Sequence, residues 1–398
     1  MKLFGKMLIS VLIVSLLGGC WDRKELSEIK LVSGMAIDKG DDGKYEVTVE
    51  ALNAAELNSR TSGGNAPSLV ETIEGETLSE VSHQFSQYYA QYLVFSHMKL
   101  LVIGEEVAKS GMIDFIDYLE RNRELRDDFK ILIAKDSKAS DVLKVTNLYR
   151  KSSSLKLSTQ LENMFQDWGG DPDMRINDFI NDVTLEGKEA VLNAVVVEGD
   201  KKVGATVENM NNVTPEAIVL VDSLGFFNKK KLAGFLPLDD TRVYLWITDK
   251  FKNTTLTVQC GEDEYSAVRI IHSTTDVQTK MDGVRPEFNI NVKAEGYIEG
   301  TQCYKSLDKI ETFKKYEDLV SKSAADKIQK TVAKMQNEYG LDIFGFGEIM
   351  RRQHNNQFTK IKDDWNSYFA EAKVNVNFDF ILRRTGIRSD SFLDEVEK

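Results

Sequence analysis

The chain has 398 residues, 42% of them hydrophobic, with 26 glycines and 5 prolines; this supplies several packed cores and is not the composition of a long disordered stalk. The formal net charge is −12. An acidic body argues against binding nucleic acid and against lying flat on anionic lipid.

The first twenty residues have the pattern of a bacterial lipoprotein signal. Two lysines precede an apolar run from Met7 to Leu17, and two glycines stand directly before Cys20. The run is too short to span a bilayer, so we predict a cleaved signal peptide at residues 1–19. Cys20 would then begin the mature chain and carry an S-diacylglycerol and an N-acyl group such as palmitate. The alternative is an ordinary secretory signal with a chance cysteine.

Lipid on Cys20 would hold the protein on the outer face of the membrane. Each buried methylene of an acyl chain contributes about 0.8 kcal/mol, so two or more chains bind firmly. No later stretch reaches about 18 consecutive apolar residues. We therefore expect the rest of the chain to be tethered to the membrane without crossing it.

Residues 20–205 predict a mixed α/β region of one or two subdomains. A strand over 31–37, the turn Asp41-Asp42-Gly43 and alternation from Tyr45 to Val49 predict a hairpin. A polar loop over 58–68 follows. The further predicted elements are, in chain order, a helix over Thr77–Tyr92, a strand over Leu100–Ile103, a helix over Glu105–Glu120, a strand over Phe129–Ala134, helices over Ser137–Thr146, Leu155–Phe165 and Ile176–Asp182, and a strand over Ala190–Glu198.

The chain becomes polar around Asn209–Pro215, and we place the domain division between residues 205 and 206. Residues 206–398 predict an α+β domain: an antiparallel sheet with long helices on one face. Its predicted elements are strands over Thr254–Cys260, Tyr265–Thr279 and Phe288–Ile298, a helix whose apolar stripe runs from Val320 to Tyr339, and a last strand over Val374–Leu382. The predicted fold class is α+β, of mixed α/β character and multidomain, with three domains expected.

Two cysteines remain besides Cys20. Cys260 and Cys303 both lie in predicted strands, and an oxidising exterior permits a disulfide between them. The sequence does not show that the two strands are neighbours. We therefore favour two unpaired thiols, with the disulfide as the alternative.

Patterns of catalytic or metal-binding residues are missing from the sequence. Val221-Asp222-Ser223-Leu224-Gly225 lacks the first glycine of a hydrolase elbow, and we interpret it as a helix-to-strand turn. None of the four histidines has a partner at metal-ligand spacing, and no Cys-Xaa-Xaa-Cys occurs. We expect no catalytic residue, no cofactor and no metal, and hence no enzyme.

An aromatic cluster lies on the predicted helix over Thr77–Tyr92 and just beyond it. Its spacing is that of a core face, and we interpret it as packing, with a ligand pocket as the alternative. The cluster consists of Phe85, Tyr88, Tyr89, Tyr92 and Phe95.

The opening Cys20-Trp21-Asp22-Arg23-Lys24-Glu25-Leu26, followed by Val32–Asp38, resembles the Ger(x)C family, the C-subunit lipoproteins of nutrient germinant receptors in spore-forming bacteria. The strand over Lys229–Leu236, the segment Asp342–Gly347 and the last strand also resemble that family. The resemblance implies a three-domain mixed fold on the outer face of the spore inner membrane. It implies two integral membrane partners, the receptor's A and B subunits. Only Cys20 has a role that the resemblance carries over.

Three functions remain in view. We favour a non-enzymatic, lipid-anchored receptor subunit required for the germination response. The main alternative is an extracytoplasmic solute-binding lipoprotein of an uptake system, and a surface hydrolase is the least favoured. The partner-docking surface stays open among the loop over 58–68, the segment 340–350 and the acidic turns near 239 and 262.

Overall fold

The computed structural model describes residues 25–58, 60, 63–282, 285–303 and 309–384, whose strands form two sheets. The predicted signal peptide and Cys20 lie outside the described residues. The strands of the first sheet are β1 (Ile29–Lys39), β2 (Tyr45–Leu52), β3 (Ser68–Gly75), β4 (Tyr92–Val94), β5 (Leu100–Gly104), β6 (Lys130–Ala134), β7 (Val191–Gly199), β8 (Ala217–Asn228) and β9 (Lys231–Pro237).

The first sheet is parallel at its centre and antiparallel at both sides. Its order is β3-β2-β1-β5-β6-β7-β8-β9, and the short β4 pairs in parallel with the beginning of β1. β1, β5, β6 and β7 run parallel, while β2, β3, β8 and β9 form antiparallel pairs. Every residue of β5 and β6 is buried; β5 is apolar throughout, and β6 is apolar from Ile131 to Ala134, as expected for strands covered on both faces.

Buried carboxylates fix the beginnings of two helices against this sheet. Glu50 on β2 accepts from the backbone N–H groups of Ser153 and Ser154, at 3.2 Å each, and Asp38 on β1 accepts from those of Ala139 and Ser140 at 2.7 and 2.8 Å. Both satisfy donors that a helix start leaves free. The helices of this part are α1 (Ala54–Leu57), α2 (Leu78–Gln84), α3 (Glu105–Ser110), α4 (Ile113–Arg121), α5 (Ala139–Lys144), α6 (Ser153–Asp167), α7 (Ile176–Thr184), α8 (Lys201–Gly204) and α9 (Val207–Asn211).

The second sheet follows in the order β10-β11-β12-β13, with strands at Thr254–Gln259, Tyr265–Asp282, Arg285–Thr301 and Lys373–Arg384. Along β12 buried and more exposed residues alternate, because one face of the sheet packs on helices. The helices of this part are α10 (Thr241–Ile247), α11 (Ile310–Lys334), α12 (Phe346–Gln353), α13 (Asn355–Ile361) and α14 (Trp365–Glu371), with a π-helical turn at Met335–Tyr339.

The multidomain α+β class with mixed sheets is confirmed. The prediction of a wholly antiparallel C-terminal sheet is wrong in one pair, since β13 runs parallel to β12. The helices between residues 310 and 371 form the crossover that a parallel pair requires. The division at residues 205 and 206 stays a prediction; β7 and β8, on either side of it, pair along most of their lengths.

Two local predictions are corrected. The helix predicted over Thr77–Tyr92 ends at Gln84, and Tyr92 instead begins β4, where strand pairing with β1 outweighs the helical spacing of the aromatic residues. Ser223 lies within β8, so its segment is strand and not a helix-to-strand turn.

Two apolar clusters hold these layers together. The larger one runs continuously from the first sheet into the second, from Val32 on β1 to Leu382 on β13. The smaller one lies on the other face of the first sheet, where Leu157 and Leu161 of α6 cover Val102 and Leu132. The two sheets therefore share one core.

Cys260 and Cys303 form a disulfide, so the preference for two unpaired thiols is wrong. Cys260 directly follows β10, and Cys303 lies two residues beyond the end of β12. Both strands flank β11, and this neighbourhood is a property of the sheet that the cysteine spacing alone did not show.

Removal of this disulfide should destabilise the protein. The bond closes a loop with a sequence separation of 43 residues, for which the loss of denatured-state entropy contributes about 4 kcal/mol. We expect Cys260→Ser/Cys303→Ser to lower the free energy of unfolding by about that amount in urea titrations. Wild type unfolded in reductant is the control, and it should coincide with the variant; an unchanged midpoint would contradict a stabilising role.

Candidate functional site

The segment Gly340–Gly347 is where the two halves of the chain meet. All residues from Leu341 to Gly347 are buried. Its backbone bonds to the residues just before β7: the Asp342 carbonyl accepts from Glu189 N–H at 2.8 Å, and Glu348 N–H donates to the Gly187 carbonyl at 3.3 Å. This segment, called the junction loop below, therefore connects the first sheet to the helices of the second.

Asp342 organises the junction loop through both of its carboxylate oxygens. Oδ1 accepts from the backbone N–H groups of Phe344 and Gly345, at 3.1 and 2.9 Å. Oδ2 accepts from Gly347 N–H at 2.9 Å and from the indole Nε1 of Trp365 at 3.0 Å. A buried, irregular loop has no strand or helix partner for these donors, so one carboxylate satisfies all four.

Burial of Asp342 has an electrostatic consequence. The side chain is fully enclosed, and this desolvation raises its pKa to about 6, although the donors from Gly347 and Trp365 act to lower it. A carboxylate is still the right group for this position, because it offers acceptors to four donors and donates none.

Two glycines let the backbones touch. Gly187 has a φ of +85°, and a Cβ built there would lie 2.8 Å from the backbone of Gly347. A Cβ on Gly347 would lie 2.5 Å from the Cα of Gly187. Any side chain at either position would push the junction loop away from the first sheet.

Aromatic rings extend the contact on both sides of the junction loop. Phe346 stacks on Phe288 of β12 with ring centroids 4.7 Å apart, and Tyr339 meets Phe226 of β8 edge-on at 4.6 Å. Such pairs contribute about 0.5–1.5 kcal/mol beyond the area that they bury. The junction is thus packed as tightly as a domain core.

A second contact between the halves lies at Trp168. The Arg242 guanidinium is 4.5 Å from the centroid of the Trp168 ring, and its Nε donates to the Trp168 carbonyl at 3.1 Å. Thr254 Oγ1 donates to the same carbonyl at 2.8 Å. Because α10 and β10 both bond to one carbonyl, the second half is held at two separate places.

A buried ion pair lies at the beginning of β6, where the Lys130 ammonium contacts Asp171 and, at 3.1 Å, Asp173. Burial acts to lower the pKa of Lys130, but the two carboxylates outweigh it and the pKa is raised. Asn193 also donates to Asp171, at 3.1 Å. The charge is satisfied by neighbours, as a structural ion pair requires.

A surface cavity of about 660 Å³ opens beside the aromatic cluster. Its lining mixes apolar residues such as Phe95 with His83 and with Arg121 and Arg123. The packing interpretation is right for Phe85, Tyr89 and Phe95, which are buried. Tyr88 and Tyr92 are exposed, and Tyr92 and Phe95 line the cavity.

The docking surfaces that the sequence left open differ in their hydrogen bonding and in their exposure to solvent. Glu56 accepts from the backbone of Gly63 and Gly64 and from the side chain of Asn65, which closes the polar loop over 58–68 on itself. The segment 340–350 is buried from Leu341 to Gly347, while Gly340, Glu348 and Ile349 are partly exposed. Asp239 remains half exposed and pairs with Lys327 at 3.3 Å.

Within the described residues, no group of three His, Cys, Asp or Glu side chains is arranged to hold a metal ion. Over the same part of the chain, no helix combines the length and apolarity needed to cross a membrane. The Ser223 side chain is buried within β8.

Two family models match the chain in succession. Residues 22–197 match the model described as spore germination protein N-terminal domain, and residues 222–386 match spore germination B3/GerAC like, C-terminal. The chain belongs to the Ger(x)C family of spore germination proteins. The resemblance of its opening residues to that family is therefore confirmed.

Relatives of this family align over almost the whole chain. Spore germination protein KC of Bacillus subtilis (strain 168) is 28% identical over 392 residues, which cover 96% of this chain and 95% of the relative. Spore germination protein B3 of the same organism is 23% identical over 96% of this chain and 98% of its own length. The crystal structure of the GerBC protein matches 91% of this chain and all of its own, with 20% identity and a TM-score of 0.54, and so shares the fold.

The segment Asp342–Gly347 resembles the family in sequence, but the role of Asp342 was not predicted. The local signal was present: an aspartate followed by glycines three and five positions later is the pattern of a side chain that accepts from nearby backbone N–H groups. Gly187, its contact partner, is far away in sequence and carried no such signal.

Replacement of Asp342 should break the junction. We expect Asp342→Ala to lower the free energy of unfolding by about 3–5 kcal/mol, because four buried donors lose their acceptor. Chemical denaturation measures this. Asp363→Ala removes an exposed carboxylate nearby and should change stability by less than about 0.5 kcal/mol; equal effects of the two variants would contradict the assigned role.

The raised pKa of Asp342 predicts an unusual pH dependence. The pKa is about 6 in the folded state and about 3.9 when unfolded, so between these values the folded state binds more protons and stability falls as pH rises. We expect wild type to lose about 2–3 kcal/mol relative to Asp342→Asn between pH 4 and pH 6.5, and little beyond. Denaturation of both proteins across this range is the measurement, and a difference that does not change with pH would be evidence against it.

Proposed function

We propose that the protein is a lipid-anchored, non-enzymatic subunit of a spore nutrient germinant receptor. Membership of a spore germination family over nearly its full length carries this proposal. The sequence contributes the anchor: an apolar run, two glycines and Cys20 in the order that lipoprotein processing requires.

In this proposal the protein sits on the outer face of the spore inner membrane. Acyl chains on Cys20 hold it there, and the receptor's integral membrane A and B subunits are its partners. The apolar side chains of the described residues pack into one core shared by both sheets and a second, smaller core. This supports a folded body that is held at the membrane by its lipid. The subunit is required for the germination response to a nutrient.

The absence of an enzymatic role is part of the proposal. The buried polar groups with strong contacts have structural partners: Asp342 holds a loop, and Lys130 is neutralised by Asp171 and Asp173. Neither arrangement places a nucleophile beside a base in an open cleft, which hydrolytic chemistry requires.

Loss of the anchor tests the proposal. We expect Cys20→Ala to move the protein from the membrane fraction to the soluble fraction of spores and to impair nutrient-triggered germination, because no acyl chain can then be attached. Gly18→Ala keeps a small residue before the cysteine and should behave as wild type. Membrane retention together with normal germination in Cys20→Ala would refute the proposal.

Cross-linking in spore membranes tests the partners. A proximity cross-linker applied to the wild-type chain should recover two polytopic membrane proteins, and Asp342→Ala, which disturbs the junction, should recover them in lower yield. Recovery of an uptake permease instead would favour the solute-binding alternative.

A further inference from the structure

The start of the described chain marks one end of the first sheet. Ile29 of β1 lies opposite Tyr92 of β4 in the parallel register, and Gln91 Nε2 donates to the Ser27 carbonyl at 3.3 Å. The loop that precedes β4 therefore packs directly beside residues 25–29. This end contains the amino ends of the parallel strands.

The proposed lipid anchor places this end close to the membrane. This step rests on the proposed function. Only four residues, 21–24, lie between Cys20 and Glu25, and the five Cα–Cα steps from one to the other span at most about 17 Å. Every group beside Glu25 must then lie near the level of the phospholipid headgroups.

Several loops come together at this end. Tyr92 OH donates to the Glu124 carboxylate, Tyr89 OH donates to the Leu69 carbonyl, and Lys151 Nζ donates to the Glu56 carbonyl at 2.6 Å. These loops together are called the anchor-side surface. It comprises residues 25–29, 53–58, 60, 63–67, 69, 85–99, 120–130 and 145–152.

Exposed aromatic residues characterise the anchor-side surface. Tyr88 is 56% exposed, Tyr92 44% and Tyr149 62%. Tyrosine is enriched where a protein meets the membrane interface, because its ring is apolar and its hydroxyl is wet. Leu69 and Leu148, also exposed, add apolar area at the same end.

The charge of the anchor-side surface differs from that of the whole chain. Its residues include eight Lys or Arg and seven Asp or Glu, a net charge of +1, whereas the chain carries −12. Exposed basic residues such as Arg60 and Arg123 interact favourably with lipid phosphates. The repulsion from anionic lipid that the overall charge predicts does not apply at this end.

We propose that the anchor-side surface lies on the phospholipid headgroup layer, with Tyr88, Tyr92 and Tyr149 in contact with it. The lipid on Cys20 brings this surface to the membrane, and the tyrosines and arginines then set the orientation of the body. The cavity lined by Tyr92 and Phe95 opens at the same level. The hairpin turn Asp41–Gly43 follows the carboxyl end of β1, the far end of that strand from Ile29, and points away from the membrane.

Site-specific labels test this orientation. The native cysteines do not interfere, because Cys20 is acylated in this proposal and Cys260 is bonded to Cys303. Gln87→Cys and Ala90→Cys place a fluorophore on the anchor-side surface without removing a tyrosine, and Asp41→Cys, on the exposed hairpin turn at the far end of β1, is the control. The lipidated full chain is reconstituted into vesicles of phosphatidylglycerol and phosphatidylethanolamine that carry a headgroup quencher.

We expect labels at 87 and 90 to be quenched several-fold more than the label at 41. Equal quenching at the three positions overturns the orientation. Substitution of both Tyr88 and Tyr92 by serine should reduce quenching at position 90, while Tyr265→Ser, an exposed tyrosine on β11, should not. Equal quenching in these two variants, at unchanged thermal stability, overturns the role of the tyrosines.

Sedimentation with the vesicles separates this inference from the proposed anchor. If the lipidated chain sediments but labels 87 and 90 stay as accessible as label 41, the anchor stands and the orientation fails. If Cys20→Ala sediments equally and its labels are quenched, the surface binds lipid by itself and only the anchor fails. If the lipidated chain does not sediment, both fail.

Discussion

The Asp342 carboxylate is the interaction on which the junction of the two halves depends. An irregular buried loop exposes backbone N–H groups that no strand or helix can satisfy, and leaving them without partners would cost more than a typical contact contributes. One carboxylate accepts three backbone donors within five residues of Asp342 and, from farther along the chain, the indole N–H of Trp365. The glycine contact between residues 187 and 347 then brings the backbones together, and a single apolar core extends across both sheets.

Buried carboxylates that accept from backbone N–H groups also occur in the first sheet. Glu50 and Asp38 are fully or nearly fully buried and accept from helix N-terminal backbone groups, while Glu56 closes a polar loop. These acidic residues act inside the fold. Part of the net negative charge is thus not surface charge, and one end of the molecule is close to neutral although the chain as a whole is strongly acidic.

The arrangement bears on the proposed role at a membrane. Two separate contacts, at the junction loop and at Trp168, join the halves. Close-packed interiors transmit displacement because they have little free volume. A receptor subunit built in this way would pass a force applied to one sheet on to the other, which suits a protein whose proposed partners lie in the membrane beside it.

The sequence by itself determined the α+β class, most strands and the long helix, because periodicity in apolar residues is a local property; the alternation of Val374, Val376 and Phe378 predicted β13 directly. It also determined the family, through an ordered string of residues at the start of the chain. The tertiary structure alone decided the parallel pairing of β13, the end of α2 before Tyr92 and the disulfide between Cys260 and Cys303. Each of these depends on which elements become neighbours in space, and pairing between residues distant in sequence leaves no local pattern to read.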